Sequence, residues 1–500
     1  MGDTPMKRLV LAVLATIILL GAPAQTSASI QVASNPGPLP VQAKDAKDAY
    51  NRGTALYGKR QFEKAIKEFD AAIAAEPDYF AAYINRGLCR HELRKYDDAI
   101  ADFNKAEELN PEHVFPFHNR GCVYLVQRKY DEAEAEFEKA LEKDPSYISA
   151  ICCRADCWAI RGKLDEADKE YQRASKLDPK SALPHLGRGS TFQLRNEHQK
   201  ALAEFEKAVK LDSGFVYLAA RGGAYLMLDD YPKALADLDK ALKTEPNYVP
   251  ALSNRGSCLT RLQEYAKAEK DFARAHELDP TSPIVIKNRA INFDCWGKFK
   301  ESLEQYDRFM EVLPSSAALM ERGQVRLKAG DTKGGLEDFD ACLRDKPNDP
   351  LYHYMRGQAL KQAGEYDDAI AAYSEMLRLL PSGWGACTAR AGAYVAKKDY
   401  AAARKDIAAA QNILTQVVKQ EPALAAKLSY DWACLFSVSS STHEDQSDAK
   451  ALKAADVKKA LEYLKKTVEA KAAHQAHIHW DPEMEPIRNE AGYKALIKVR

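Results

Sequence analysis

The sequence predicts an all-α protein, a right-handed α-solenoid of about eleven helix-turn-helix repeats closed by a C-terminal helical cap. Three columns of residues predict it. An Arg-Gly pair recurs at Arg52-Gly53, Arg86-Gly87, Arg120-Gly121, Arg188-Gly189, Arg221-Gly222, Arg255-Gly256, Arg322-Gly323 and Arg356-Gly357. Arg154-Ala155, Arg289-Ala290 and Arg390-Ala391 fall in the same register, at steps of 34 residues, or 33 in two places. Twelve residues after the small residue comes another, and four later a large one, as in Ala65 with Phe69, Ala99 with Phe103, Ala133 with Phe137, Ala167 with Tyr171 and Ala369 with Tyr373. Each unit ends near a proline: Pro77, Pro111, Pro145, Pro179, Pro246, Pro280, Pro314, Pro347 and Pro381.

The N-terminus reads as an export signal over residues 1–24. Lys7 and Arg8 precede an uncharged apolar run, Leu9 to Leu20, and Ala22-Pro23-Ala24 is a small-x-small cleavage site, with Thr26-Ser27-Ala28 as a second option. The run is short for a membrane span, which needs about 20 apolar residues; an uncleaved anchor is the alternative. Residues 25–45, with Pro36, Pro38 and Pro40, are expected to form an extended linker.

Residues 46–417 carry the repeats. Small residues such as Gly53 and Ala65 let paired helices approach closely, and Phe69 and its equivalents fill the space beside them, each burial contributing about 1.5–3 kcal/mol. Proline ends one hairpin because it does not fit a helix interior, yet it tolerates the first turn of the next. These columns resemble the tetratricopeptide repeat. The resemblance implies a concave groove lined by the first helices, holding a protein or peptide partner. In that family the best-known groove clamps a C-terminal carboxylate with Lys and Asn. Here the corresponding places hold Tyr50 with Thr54, Ile84 with Leu88, and His118 with Cys122, so the clamp is incomplete. The resemblance leaves a more apolar groove, with Tyr50, Tyr57, Ile84, Leu88, Phe115, His118 and Leu125 expected to face it; packing of the same row between repeats is the competing reading.

A further column pairs charges. The arginines Arg52, Arg86, Arg120, Arg154, Arg188, Arg221, Arg255, Arg289, Arg322, Arg356 and Arg390 occur in every repeat. Sixteen residues later an acid stands in nine: Glu68, Asp102, Glu136, Glu170, Glu204, Asp237, Asp271, Asp338 and Asp406, with Gln305 and Ala372 as exceptions. The spacing predicts a structural ladder of Arg–carboxylate pairs. The functional alternative is a cationic stripe for anions.

After residue 417 the period fails. Residues 418–500 read as a capping region: a helix through Leu428 to Cys434, a polar loop from Ser437 to Asp448, a second helix through Asp456 to Leu464, then Asp481-Pro482 and a short final helix. This order resembles the tails of many bacterial tetratricopeptide proteins, some fused to serine/threonine kinases. No kinase signature is present here.

Ten cysteines without a Cys-x-x-Cys pair read as mostly free buried thiols, with one or two bridges or a metal site as alternatives. His474, His477 and His479 form a weak metal-site candidate, against a surface loop or cap interface. No Gly-rich phosphate loop, nucleophile elbow or His-Glu-x-x-His motif is present, so neither an enzyme nor a cofactor is expected. With 72 basic and 72 acidic side chains, bulk charge gives no reason to expect a nucleic acid or anionic membrane as partner. The expected function is a non-catalytic interaction scaffold acting outside the cytoplasm, periplasmic or secreted, in assembly of an envelope or extracellular complex. The alternatives are an adaptor for secretion or folding of exported proteins, a metal-binding protein using the C-terminal histidines, and an enzyme whose site forms only within an oligomer.

Overall fold

The computed structural model describes residues 41–425, 427–469 and 482–497. The proposed signal, most of the linker and the His474, His477 and His479 run lie outside the described residues. Every regular element among them is helical, and the chain divides after Pro280 into two compact units.

The first unit is a row of antiparallel hairpins: α1 (Val41–Gly58) with α2 (Phe62–Ala75), α3 (Phe80–Glu92) with α4 (Tyr96–Leu109), and α5 (Val114–Val126) with α6 (Tyr130–Lys143). It continues with α7 (Ile148–Ile160) and α8 (Leu164–Leu177), α9 (Leu183–Leu194) and α10 (His198–Leu211), α11 (Phe215–Met227) and α12 (Tyr231–Thr244), and α13 (Val249–Arg261) and α14 (Tyr265–Leu278). The helix begins at Val41, so the last residues of the expected linker already belong to α1.

Each hairpin is set by three local devices. The turn between its helices carries one left-handed residue, at Arg60, Arg94, Arg128, Gly162, Asn196, Asp229 and Gln263 in this unit. Inside the pair, glycine gives the aromatic ring sixteen residues on its place: a Cβ on Gly121 would stand 2.6 Å from Phe137 Cε1. At the far end the residue before proline is driven out of helical geometry. Glu76 before Pro77 has φ −140° and ψ 93°, and Asp144 before Pro145 has φ −137° and ψ 97°. Phe69, Phe103, Phe137, Tyr171, Phe205 and Phe272 are all buried in consequence.

The second unit repeats the plan in α15 (Pro283–Cys295) with α16 (Phe299–Val312), α17 (Ser316–Lys328) with α18 (Thr332–Asp345), α19 (Pro350–Ala363) with α20 (Tyr366–Leu379), and α21 (Trp384–Ala396) with a longer α22 (Tyr400–Gln420). Then follow a 3-10 turn, Pro422–Leu424, α23 (Ser429–Ser439), α24 (Ala449–Glu469), a 3-10 segment, Pro482–Ile487, and α25 (Ala491–Leu496). Leu414, Leu435, Leu464, Met484 and Ile487 join α21 and α22 to these elements in one core. Trp384 Nε1 donates to Asp431 Oδ1 at 2.8 Å across that junction. The stretch expected as a polar loop from Ser437 differs: Ser437 to Ser439 extend α23, and Ser437, Ser439, Ser440 and Thr442 are buried. Burial of Ser439, Ser440 and Thr442 is tolerated because Ser439 Oγ donates to Asp456 Oδ2 at 2.6 Å, and Ser440 and Thr442 donate to backbone carbonyls. Among the described residues no helix is long and apolar enough to cross a membrane.

Candidate functional site

The arginine column runs along the first helices, one residue before the glycine. Arg52 Nε meets Glu68 at 2.8 Å, Arg86 Nη2 meets Asp102 at 2.6 Å, and Arg120 Nε meets Glu136 at 2.8 Å. Arg154 bonds Glu170, and Arg188 Nη1 meets Glu204 at 3.2 Å. Forked pairs join Arg221 with Asp237 (2.6 and 2.9 Å), Arg255 with Asp271 (2.8 and 2.7 Å), Arg322 with Asp338 (3.1 and 2.6 Å) and Arg390 with Asp406 (both 2.8 Å). Several arginines also reach back to the preceding hairpin: Arg86 to Asp70 at 2.7 Å, Arg120 to Glu107 at 2.6 Å and Arg255 to Asp239 at 2.8 Å. Arg356, opposite Ala372, takes Asp340 of the preceding hairpin at 2.8 Å instead. Arg289, opposite Gln305, lies over the Phe293 ring at 5.5 Å. These guanidinium groups are occupied by internal carboxylates, which speaks against the anion-stripe reading at the paired positions.

The expected groove row splits. Tyr57, Leu88 and Phe115 are half-buried and reachable. Tyr50, Ile84 and His118 are 7, 5 and 7% exposed, taken up by contact with the next hairpin. Tyr50 lies 5.1 Å from the Tyr79 ring, and His118 lies edge-on to Tyr147 at 5.2 Å. Leu125, 2% exposed, is a correction: four residues after the glycine it points into the core with Phe137, Leu141 and Ile151. Its column is inward at His91, Ala159 and Leu226 too, whereas Tyr57 and Gln193 in the same column stay half-buried.

None of the ten cysteines is paired in a disulfide, and eight of them are buried. Three side chains meet at the junction of α5 and α7. Cys122 Sγ lies 3.7 Å from His118 Nε2, and with Cys153 Sγ the three atoms are all within 4.8 Å of one another. The hydrogen bond from Cys153 holds the Cys122 thiol well below the ordinary cysteine range; burial opposes this, and the imidazoles of His118 and His91 add to it. Cys153, as the donor in the same pair, is pushed up. One turn beyond Cys153, burial raises the Asp156 carboxyl to about 7, against the hydrogen bond that Tyr171 donates to it. Sequence reasoning placed His118 and Cys122 together but did not bring Cys153 to them. The signal was available: Asn51, Asn85 and Asn119 form a column whose next member is Cys153.

Stacked antiparallel helical pairs held by a recurring small–aromatic contact define an α-solenoid scaffold. Descriptions of the tetratricopeptide repeat match residues 50–113, 159–214, 114–147, 350–382 and 249–282. The chain is a member of the tetratricopeptide-repeat family. Among solved structures, a tetratricopeptide repeat protein from Parabacteroides merdae is similar at 18% identity and a TM-score of 0.40, covering 50% of this chain and 99% of its own. Yeast Tom70 is similar at 15% identity and a TM-score of 0.38, covering 77% and 99%. The Cut9–Hcn1 complex of the APC/C is similar at 14% identity and a TM-score of 0.48, covering 86% and 89%. No curated protein matches the chain.

Proposed function

We propose that this scaffold binds an extended or helical peptide with apolar anchors along the first helices of its N-terminal hairpins, outside the cytoplasm, in assembly of an envelope or extracellular complex. The supporting observation is that Tyr57, Leu88 and Phe115 remain reachable beside a buried row, while neighbouring polar groups are largely engaged in the ion-pair ladder. Aromatic and aliphatic anchors beside satisfied polar groups suit the docking of apolar peptide side chains. No catalytic motif supports an enzyme reading.

The test is retention of partners from envelope extract by the full chain and by a Leu88→Glu, Phe115→Glu variant, both first shown to be equally helical. Retained proteins are identified by mass spectrometry and remade for direct titration. A partner that binds the unaltered chain and loses at least about tenfold in affinity with the variant, roughly 1.4 kcal/mol, supports this groove. Equal binding by both chains sinks it. Export is tested separately by the mass of the chain recovered from the envelope fraction, which should lack the first 24 or 28 residues.

A further inference from the structure

The first helix of each hairpin hands a contact to the next. Tyr50 and Thr54 stand one turn apart on α1, and Asn85 on α3 donates to Tyr50 Oη at 2.9 Å. The same three places one repeat on hold Ile84, Leu88 and Asn119, and one repeat further His118, Cys122 and Cys153. The stacking that lays Asn85 on Tyr50 therefore delivers Cys153 to His118 and Cys122. Hairpin packing does not call for this set, because an aliphatic pair facing Asn occupies the same junction one repeat earlier.

We propose that His118 Nε2, Cys122 Sγ and Cys153 Sγ bind a thiophilic d10 metal ion, Zn2+ or Cu+. Two thiols and an imidazole are soft and borderline donors that favour these ions over Mg2+ or Ca2+. In a tetrahedral zinc site, bonds of about 2.3 Å to sulfur and 2.0 Å to nitrogen set the ligand atoms roughly 3.6 Å apart. Cys122 Sγ and His118 Nε2 already stand at 3.7 Å, and no pair of ligand atoms exceeds 4.8 Å. The remaining closure is about an ångström of side-chain rotation. The imidazole is oriented for the task by Tyr147 edge-on at 5.2 Å and Phe137 at 5.8 Å, with Nε2 turned to the sulfur. Binding displaces thiol protons to water and ties α5 to α7. Three protein ligands complete a trigonal Cu+ site and leave one tetrahedral position of Zn2+ for water.

The test uses the full chain, reduced, stripped with a chelator and titrated separately with Zn2+ and Cu+ against a chromophoric competitor, with Co2+ as a spectroscopic probe. One equivalent should bind, and X-ray absorption should show one nitrogen and two sulfur neighbours. Cys153→Asn, which installs the residue of the preceding repeats, should weaken binding by about a hundredfold or more. Cys122→Ser should do the same, and far-ultraviolet circular dichroism checks that both variants fold. A His474→Ala, His477→Ala, His479→Ala chain should keep the equivalent. The site is overturned by absence of uptake, by unchanged affinity in both cysteine variants, or by loss of the metal in the triple histidine variant. A Cys122–Cys153 disulfide mapped in chain isolated without reductant, together with no uptake after reduction, also overturns it.

Discussion

Gly121 and Phe137 compete for the same space, and only the missing Cβ resolves the conflict. Gly121→Ala places a methyl 2.6 Å from the ring, an overpacking of about 1–3 kcal/mol, partly offset by the roughly 1 kcal/mol that alanine gains in a helix. The expected outcome is a lowered melting temperature. Gly385→Ala, with nothing within 4 Å of its new Cβ, should leave stability unchanged or raise it by about 0.5 kcal/mol. The arginine ladder divides by exposure in the same way. Arg120 and Glu136 have side chains 6 and 9% exposed, so Arg120→Ala leaves the buried Glu136 carboxylate with Lys139 alone and should cost about 3 kcal/mol in urea unfolding. Arg52, 58% exposed, should cost under about 1 kcal/mol when changed to Ala. Asp156 supplies a pH signature. Folded, its carboxyl keeps a proton up to about pH 7; unfolded, it releases it near pH 4. The folded state therefore binds the extra proton between these values, and its stability from this group falls as pH rises through that window and levels off above it. Asp156→Asn should remove that slope, so its melting temperature relative to the unaltered chain should rise from about pH 4 to about pH 7.

Within an element the decisive position is the turn between paired helices. One left-handed residue per hairpin recurs at 60, 94, 128, 162, 196, 229 and 263 in the first unit, and at 297, 330, 364 and 398 in the second. Four of these are glycine, and the others carry a side chain at φ values near 60°. A left-handed residue with a Cβ costs roughly 1–2 kcal/mol, so Arg94→Gly, at an exposed turn, should raise the melting temperature, with a net gain of up to about 1 kcal/mol after the added freedom of the unfolded chain. The glycines at 162, 297, 330 and 364 made the turn position legible in the sequence. Arg94 and Arg128 concealed it, because nothing local in an arginine signals a left-handed backbone.

At the scale of the whole molecule, each hairpin leaves an apolar face that only a neighbour covers. In the first unit the stack curves until Arg60 of the first hairpin meets Glu245, at the end of the sixth, at 2.8 Å. In the second unit the last such face is closed by α23, α24 and the final turns, with Trp432, Phe436 and Tyr463 stacked 5.6–5.9 Å apart. Removing everything after Gln420 uncovers Ile407, Leu414 and Trp384. The shortened chain should melt lower and elute from size exclusion as an aggregate, whereas a mere tail would leave both measurements unchanged.

The helical hairpin, its period and its internal contacts were legible in residue order, because these depend on residues at fixed short separations: Gly53 with Phe69, Arg52 with Glu68, Pro77 after Glu76. The partition of the first-helix face was not legible there and came from the packing of hairpin on hairpin. Whether Tyr50 and Leu125 face a groove or a neighbour depends on how far one hairpin rotates on the next, a sum of many side-chain volumes that no single column encodes. The same rotation brought Cys153 to His118 and Cys122. In the cap, separately, the packing of α23 among its neighbours buried Ser437 and Ser440 where composition alone indicated a solvated loop. Short-range chemistry writes the repeat; the stacking angle decides which of its side chains remain available for function.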